Sequence, residues 1–250
     1  REWHYLFQVK QIEDFFERFN FLQQSPFYRE FRKRNRTIKF SRADFIKSVF
    51  DAESKAVPPI LMDEFIKQVT QNNQYLYFND NNWYAEAVGL FSYDKKLIPI
   101  PIVLQCKYNY ADSSYKWMVI NVKLPASLMQ NQAVKFSSTK NYLRFIAPSS
   151  HATNFISLPK AFVADNDFAS YFDDAFLRKK SAAVLYGMLK EKKLQMVTVQ
   201  SVTYHFWGID NWIFTVNNQM RSNLNSGWLI TSLQKATQAQ KQQYINQLIY

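Results

Sequence analysis

Glycine is scarce, with four in 250 residues. Phosphate-cradling loops need several glycines close together, and neither G-x-G-x-x-G nor a Walker pattern occurs. Cysteine is scarcer still. Cys106 stands alone, which excludes an intramolecular disulfide and a Cys-rich metal site. In the apolar run Ile102-Val103-Leu104-Gln105-Cys106 it reads as an inert strand residue. The three histidines, His4, His151 and His205, have no second His at i+3 or i+4, and H-E-x-x-H is missing. No metal and no cofactor are therefore expected. No serine sits in G-x-S-x-G. No run approaches 18 apolar residues, so no transmembrane span is expected. The chain begins at Arg1 rather than Met, which leads to the expectation of a processed or trimmed product from which any signal peptide has gone.

Aromatic side chains are abundant. Apolar residues make up 47% of the chain and aromatics 17%, including 22 Phe and 15 Tyr, which is ample for buried cores and argues against disorder. The formal net charge of +11 favours an acidic partner such as an anionic surface or polymer. No zinc-finger spacing or RNP-type aromatic motif is present, so no specific nucleic acid is expected.

Apolar spacing predicts an amphipathic helix over residues 3–24, on Leu6, Val9, Ile12, Phe16 and Phe19. Residues 29–42 are a basic cluster interrupted by Phe31, Ile38 and Phe40. Ser41 and Asp44 open a short helix through Phe50. Pro58-Pro59 breaks the chain, and a further helix follows to Val69. From Gln74 the period becomes two. Strands are expected at 75–78, 83–93, 97–109 and 115–124. Pro99 and Pro101 suit an edge or a strand start. After a polar, irregular middle come strand-like fragments in 145–159, a helix over 168–192 and a long strand over 194–209. A hairpin over 211–233 follows, with Asn217, Asn218, Asn223, Asn225 and Gly227 as left-handed turn residues. A helix over 236–250 closes the chain, with Tyr244, Ile245, Leu248 and Ile249 on its apolar side. Helices followed by an antiparallel meander make an α+β protein.

The two halves echo one another. Lys116-Trp117-Met118-Val119-Ile120 matches Gly227-Trp228-Leu229-Ile230-Thr231 in plan, and Asn82-Trp83 matches Asn211-Trp212. Two domains follow from this, 1–124 and 125–250. Helices on a bent antiparallel sheet with such a late Trp strand resemble the NTF2-like (cystatin-like) α+β superfamily. The stretches Ile12–Asn20 and Ser226–Ile230 also resemble secreted Bacteroidetes proteins of unknown function. The resemblance implies two NTF2-like domains and an extracytoplasmic location, periplasm or cell surface. It carries over no catalytic residue, because the superfamily holds both enzymes and binding modules.

The candidate chemistry is sparse. Glu86 shares a strand face with Tyr84 and Val88, and on a concave face it would be a cavity carboxylate. His205 lies on a strand a few residues before Asp210, and could serve as an acid or base in an aromatic cavity. Asp173 and Asp174 are adjacent and point apart on a helix. Asp165 and Asp167 suit the capping of a helix start. Trp207, Trp212, Trp228 and Tyr204 are ligand-binding candidates, set against the filling of a bent-sheet core. Arg29, Arg32, Lys33, Arg34 and Arg36 are anion-binding candidates. The leading reading is a non-enzymatic extracytoplasmic binding or interaction protein for a protein or small-molecule ligand. One alternative is an isomerase- or dehydratase-like enzyme with a cone-shaped cavity and Glu86 or His205 as base. The other is a basic accessory protein for anionic polymer.

Overall fold

The structure is a computed structural model describing residues 8–34, 37, 39–109, 114–137, 139–141 and 143–250. It is α+β. Six antiparallel strands take the order β3-β2-β1-β4-β5-β6. They are β1 (Trp83–Tyr93), β2 (Lys96–Asn109), β3 (Ser114–Val122), β4 (Leu194–Phe206), β5 (Trp212–Gln219) and β6 (Gly227–Lys235). The chain divides into two compact units, one of Arg1–Trp83 with Thr203–Gln242, the other of Tyr84–Val202 with Gln243–Tyr250. These are not the contiguous halves 1–124 and 125–250. The reason is local packing. The first helices lie against β6, while β1 to β3 lie with the middle of the chain.

The first unit holds helices α1 (Ile12–Asn20), α2 (Pro26–Arg34), α3 (Arg42–Ser48) and α4 (Pro59–Gln71), with β5, β6 and the last residues of β4. Helix α1 is shorter than the 3–24 expected, and residues 1–7 of that stretch lie outside the described residues. A Gln11–Asp14 capping box opens it and Phe21, in the left-handed region, ends it. Ser41 and Asp44 cap α3 reciprocally, as their spacing suggests. Phe15, Phe19 and Phe65 pack on Phe206, Phe214 and Trp212 with ring centroids 5.4–6.4 Å apart. Phe21, Phe31 and Phe45 make a satellite cluster. Residues 75–78 do not form the expected strand. Asn20 satisfies both backbone groups of Leu76, donating to its oxygen and accepting from its nitrogen, so no strand partner is needed.

Gly227 is the glycine that geometry demands. Its φ is +101°, and a Cβ there would lie 2.0 Å from the Val9 oxygen. That close approach lets Val9 accept from Trp228 and donate to Ser226.

The second unit holds β1, β2, β3 and residues 194–202 of β4, with helices α5 (Asp174–Leu177) and α6 (Lys180–Lys190) and residues 243–249 of α7 (Gln238–Ile249). Asp94 and Lys95 both have positive φ and close the two-residue β1–β2 turn. Pro99 and Pro101 precede Ile102, where the paired register of β2 with β3 begins, and besides the β1 ladder the Lys123 N–H donates to the Pro101 oxygen. The expected 168–192 helix is broken into a 3₁₀ turn, α5 and α6. Its interruption lets Phe172 and Asp173 join the edge of β3, with Asp173 N–H donating to Val119. The strand-like fragments of 145–159 are mostly 3₁₀ turns, covering Pro148–Thr153 and Leu158–Ala161. Trp117 anchors them, donating from Nε1 to the Pro148 oxygen and packing on Phe155.

Candidate functional site

The carboxylates come first, since an enzyme of the kind considered would need one free. On β1, Trp83, Ala85 and Ala87 are buried, while Tyr84, Glu86 and Val88 are half-buried on the opposite face. Glu86 is tied to the Lys123 amine at 2.7 Å. Across the same unit, Asp173 binds Lys107 at 2.5 Å and caps α5 by accepting from Ala175 N–H. Burial alone would raise the Asp173 carboxyl, but the Lys107 hydrogen bond, the Ala175 N–H and the charges of Lys107 and Lys140 outweigh it and hold it below the ordinary value. Asp174 turns instead to Lys140. Tyr244, on α7, has its hydroxyl pushed up by burial and then by the charge of Glu86. These groups form a neutralised array of ion pairs. Asp167 does not cap with its side chain; it accepts from Asn141 and Arg144.

The aromatic candidates sit in the first unit's core. Tyr204 and Trp212 have no exposed surface, Trp228 lies against Tyr204 at 4.8 Å, and Trp207 is buried. Trp212 Nε1 donates to Gln68. Burial raises the Tyr204 hydroxyl, with Glu13 adding to the effect. These rings fill volume beneath the helices, as the bulk of such rings favours. His205 is buried in β4 opposite Thr215. Lys241 is a buried residue that the sequence reading passed over. Its amine donates to the oxygens of Trp207 and Ile209 and holds that loop. It lies at helical spacing from Tyr244, Ile245 and Leu248, which was the available signal.

The basic stretch fans around its aromatic cluster. Arg29 and Lys33 are exposed, Arg34 pairs with Glu30, and Arg32 donates to the Phe40 oxygen over the Tyr28 ring. Arg36 lies outside the described residues. Arg42 is structural, donating to the oxygens of Phe19 and Gln74 and stacking on Tyr75 at 4.1 Å.

The first unit has a groove of about 410 Å³ between the end of α3 and the start of α4. That lies in the size range of small-molecule sites, about 300–1,000 Å³. Phe50, Val57, Pro59 and Met62 provide its apolar lining, and Lys47 and Lys55 stand at it with Asp51. The 51–57 loop that walls it is held from the hairpin turn between β5 and β6. Arg221 binds Asp51 at 2.7 Å, and Asp51 also accepts from the N–H groups of Glu53 and Ser54. Asn225 donates to the oxygens of Ser48 and Phe50 and accepts from Ala52 N–H. Asn223 binds Glu53. Asn223 and Asn225, expected as left-handed turn residues, do not have positive φ. Their side chains serve as clamps, and only the folded contacts reveal that use. Among the described residues no cluster of His, Cys, Asp and Glu could hold a metal ion, and no helix is long and apolar enough to cross a membrane. Comparison with protein-family models, curated proteins and solved structures found no match.

Proposed function

We propose that the chain is a non-enzymatic binding or interaction protein of two NTF2-like α+β parts, acting outside the cytoplasm. One observation carries the non-enzymatic reading: Glu86, the carboxylate best placed to act as a base, is paired with Lys123. A general base must be free to meet its substrate's proton, and the Lys123 amine already occupies the Glu86 Oε2 oxygen. The NTF2-like kinship is supported by helices that precede antiparallel strands and by the Lys116-Trp117 and Gly227-Trp228 strand pattern. The extracytoplasmic location rests on the resemblance to secreted Bacteroidetes proteins.

The test is a double-mutant cycle on Glu86→Gln and Lys123→Met, read by urea denaturation. Both side chains are mostly shielded, at 20% and 30% exposure. Each single change should cost about 1 kcal/mol, and the double should cost less than the sum. Catalytic groups are held at a cost to stability, so a Glu86→Gln variant more stable than the parent would overturn the reading.

A further inference from the structure

We infer that the groove between α3 and α4 binds a small organic anion with an apolar body, of the medium-chain carboxylate type. This rests on the binding-protein reading and names the ligand class. Three observations converge. First, the lining formed by Phe50, Val57, Pro59 and Met62 offers a surface for an alkyl or aryl body but little for a polar one. Second, two ammonium groups stand at the groove. Among the described residues Lys47 and Lys55 make no salt bridge, Lys47 acting on Asp44 through its charge alone, whereas Lys107, Lys123, Lys140 and Lys235 each make one. The carboxylate at the groove, Asp51, is already committed to Arg221 and two backbone N–H groups. Glu53, next to it, is engaged by Arg221 and Asn223. Third, the wall is fixed before any ligand arrives, because Asn225 and Arg221 hold residues 48–54 from the hairpin turn. A preformed site loses less on binding than one that must first be ordered.

An ammonium pair above an apolar surface discriminates by charge and by length together. A short anion such as acetate would meet the lysines but leave the apolar surface wet. A neutral alcohol of the same length would cover that surface without a charge-assisted hydrogen bond. A second concavity, of about 620 Å³, carries Lys135, Arg178, Lys179 and Lys180 in the other unit, and supplies the internal control.

The experiment is calorimetric titration of the whole chain with decanoate, below its micelle concentration, beside acetate and 1-decanol. Decanoate should saturate one site and bind at least tenfold more tightly than either comparison ligand. Lys47→Met with Lys55→Met should weaken decanoate at least tenfold, leave decanol unchanged and leave the urea midpoint unchanged, since both lysines are exposed. Met62→Asp should remove decanoate binding. Lack of saturable decanoate binding overturns the inference, as does equal binding of decanol. Weakening by Lys135→Met with Lys180→Met, in place of the Lys47 and Lys55 pair, overturns it too. Each of these failures leaves the Glu86 cycle standing, because that measurement concerns the other unit.

Discussion

Replacing Arg221 by methionine tests whether the hairpin turn holds the groove wall. In the parent protein Asp51 Oδ1 has three donors, Arg221 Nη2 at 2.7 Å, Glu53 N at 3.0 Å and Ser54 N at 3.2 Å. Arg221 is the cationic one. The Asp51 side chain is 5% exposed and that of Arg221 16%. Methionine keeps the aliphatic stem and deletes the charge, so it leaves a carboxylate shielded from water with two neutral donors. Breaking a buried pair from one side costs about 3–5 kcal/mol. The guanidinium also gives up its bonds to Asn225. Its partial exposure, and the two remaining N–H groups, place the expected loss at the lower end, about 3 kcal/mol. At a slope of roughly 2–3 kcal/mol per molar urea, the midpoint falls by about 1–1.5 M. Tryptophan fluorescence reads this unit directly, since Trp212 and Trp228 lie in its core. Adding Asp51→Asn to Arg221→Met should recover part of the loss, because the unpaired charge goes with it. A shift within about 0.5 kcal/mol is what an unconnected surface residue gives, and would refute the argument that this turn braces the loop.

Cys106 is 4% exposed and burial pushes its thiol up to about 12, so a disulfide reagent at pH 8 should label it only as fast as the protein opens; labelling of the native protein within seconds would contradict this. Asp173 is held below its ordinary value in the folded chain, so its stabilisation is present above the unfolded value of about 3.9 and is lost as pH falls below that through its folded value. Asp173→Asn should therefore flatten the loss of stability between about pH 4 and 2, and an unchanged acid limb in urea midpoints measured across that range would sink the assignment.

The strands were largely legible because their signals are local. Alternation over 83–93 appears as β1, which turns over Asp94 and Lys95 with Tyr93 opposite Lys96. The Ser41–Asp44 cap is likewise written within four residues. What failed was whatever depends on a distant partner. YLYF has strand composition, yet Asn20, 56 residues earlier, takes up the Leu76 backbone. The 168–192 stretch has helical composition, yet the edge of β3 draws Phe172 and Asp173 out of any helix. Glu86 was placed correctly on its face, but its Lys123 partner lies 37 residues away, beyond any spacing rule. The groove was invisible for the same reason. Pro58-Pro59 read as a break, and nothing in the order of residues says that Asn225 grips Phe50 from 175 positions away.

The interleaving of the units sets a timetable for synthesis. The unit that contains α1 to α4 lacks β5, β6 and the end of β4 until residues 203–242 have left the ribosome. About 120 residues intervene. With residues 203–242 themselves to be made, about 160 residues follow Trp83, so at roughly 5–20 residues per second its helices wait about 8–32 s with Phe15, Phe19 and Phe65 uncovered by the strands that bury them. The second unit is complete only when residues 243–250 emerge. The first unit therefore waits for almost all of the second to be made before it can be finished. A nascent chain this rich in uncovered phenylalanine is a natural client for a holding chaperone until residues 203–242 have emerged.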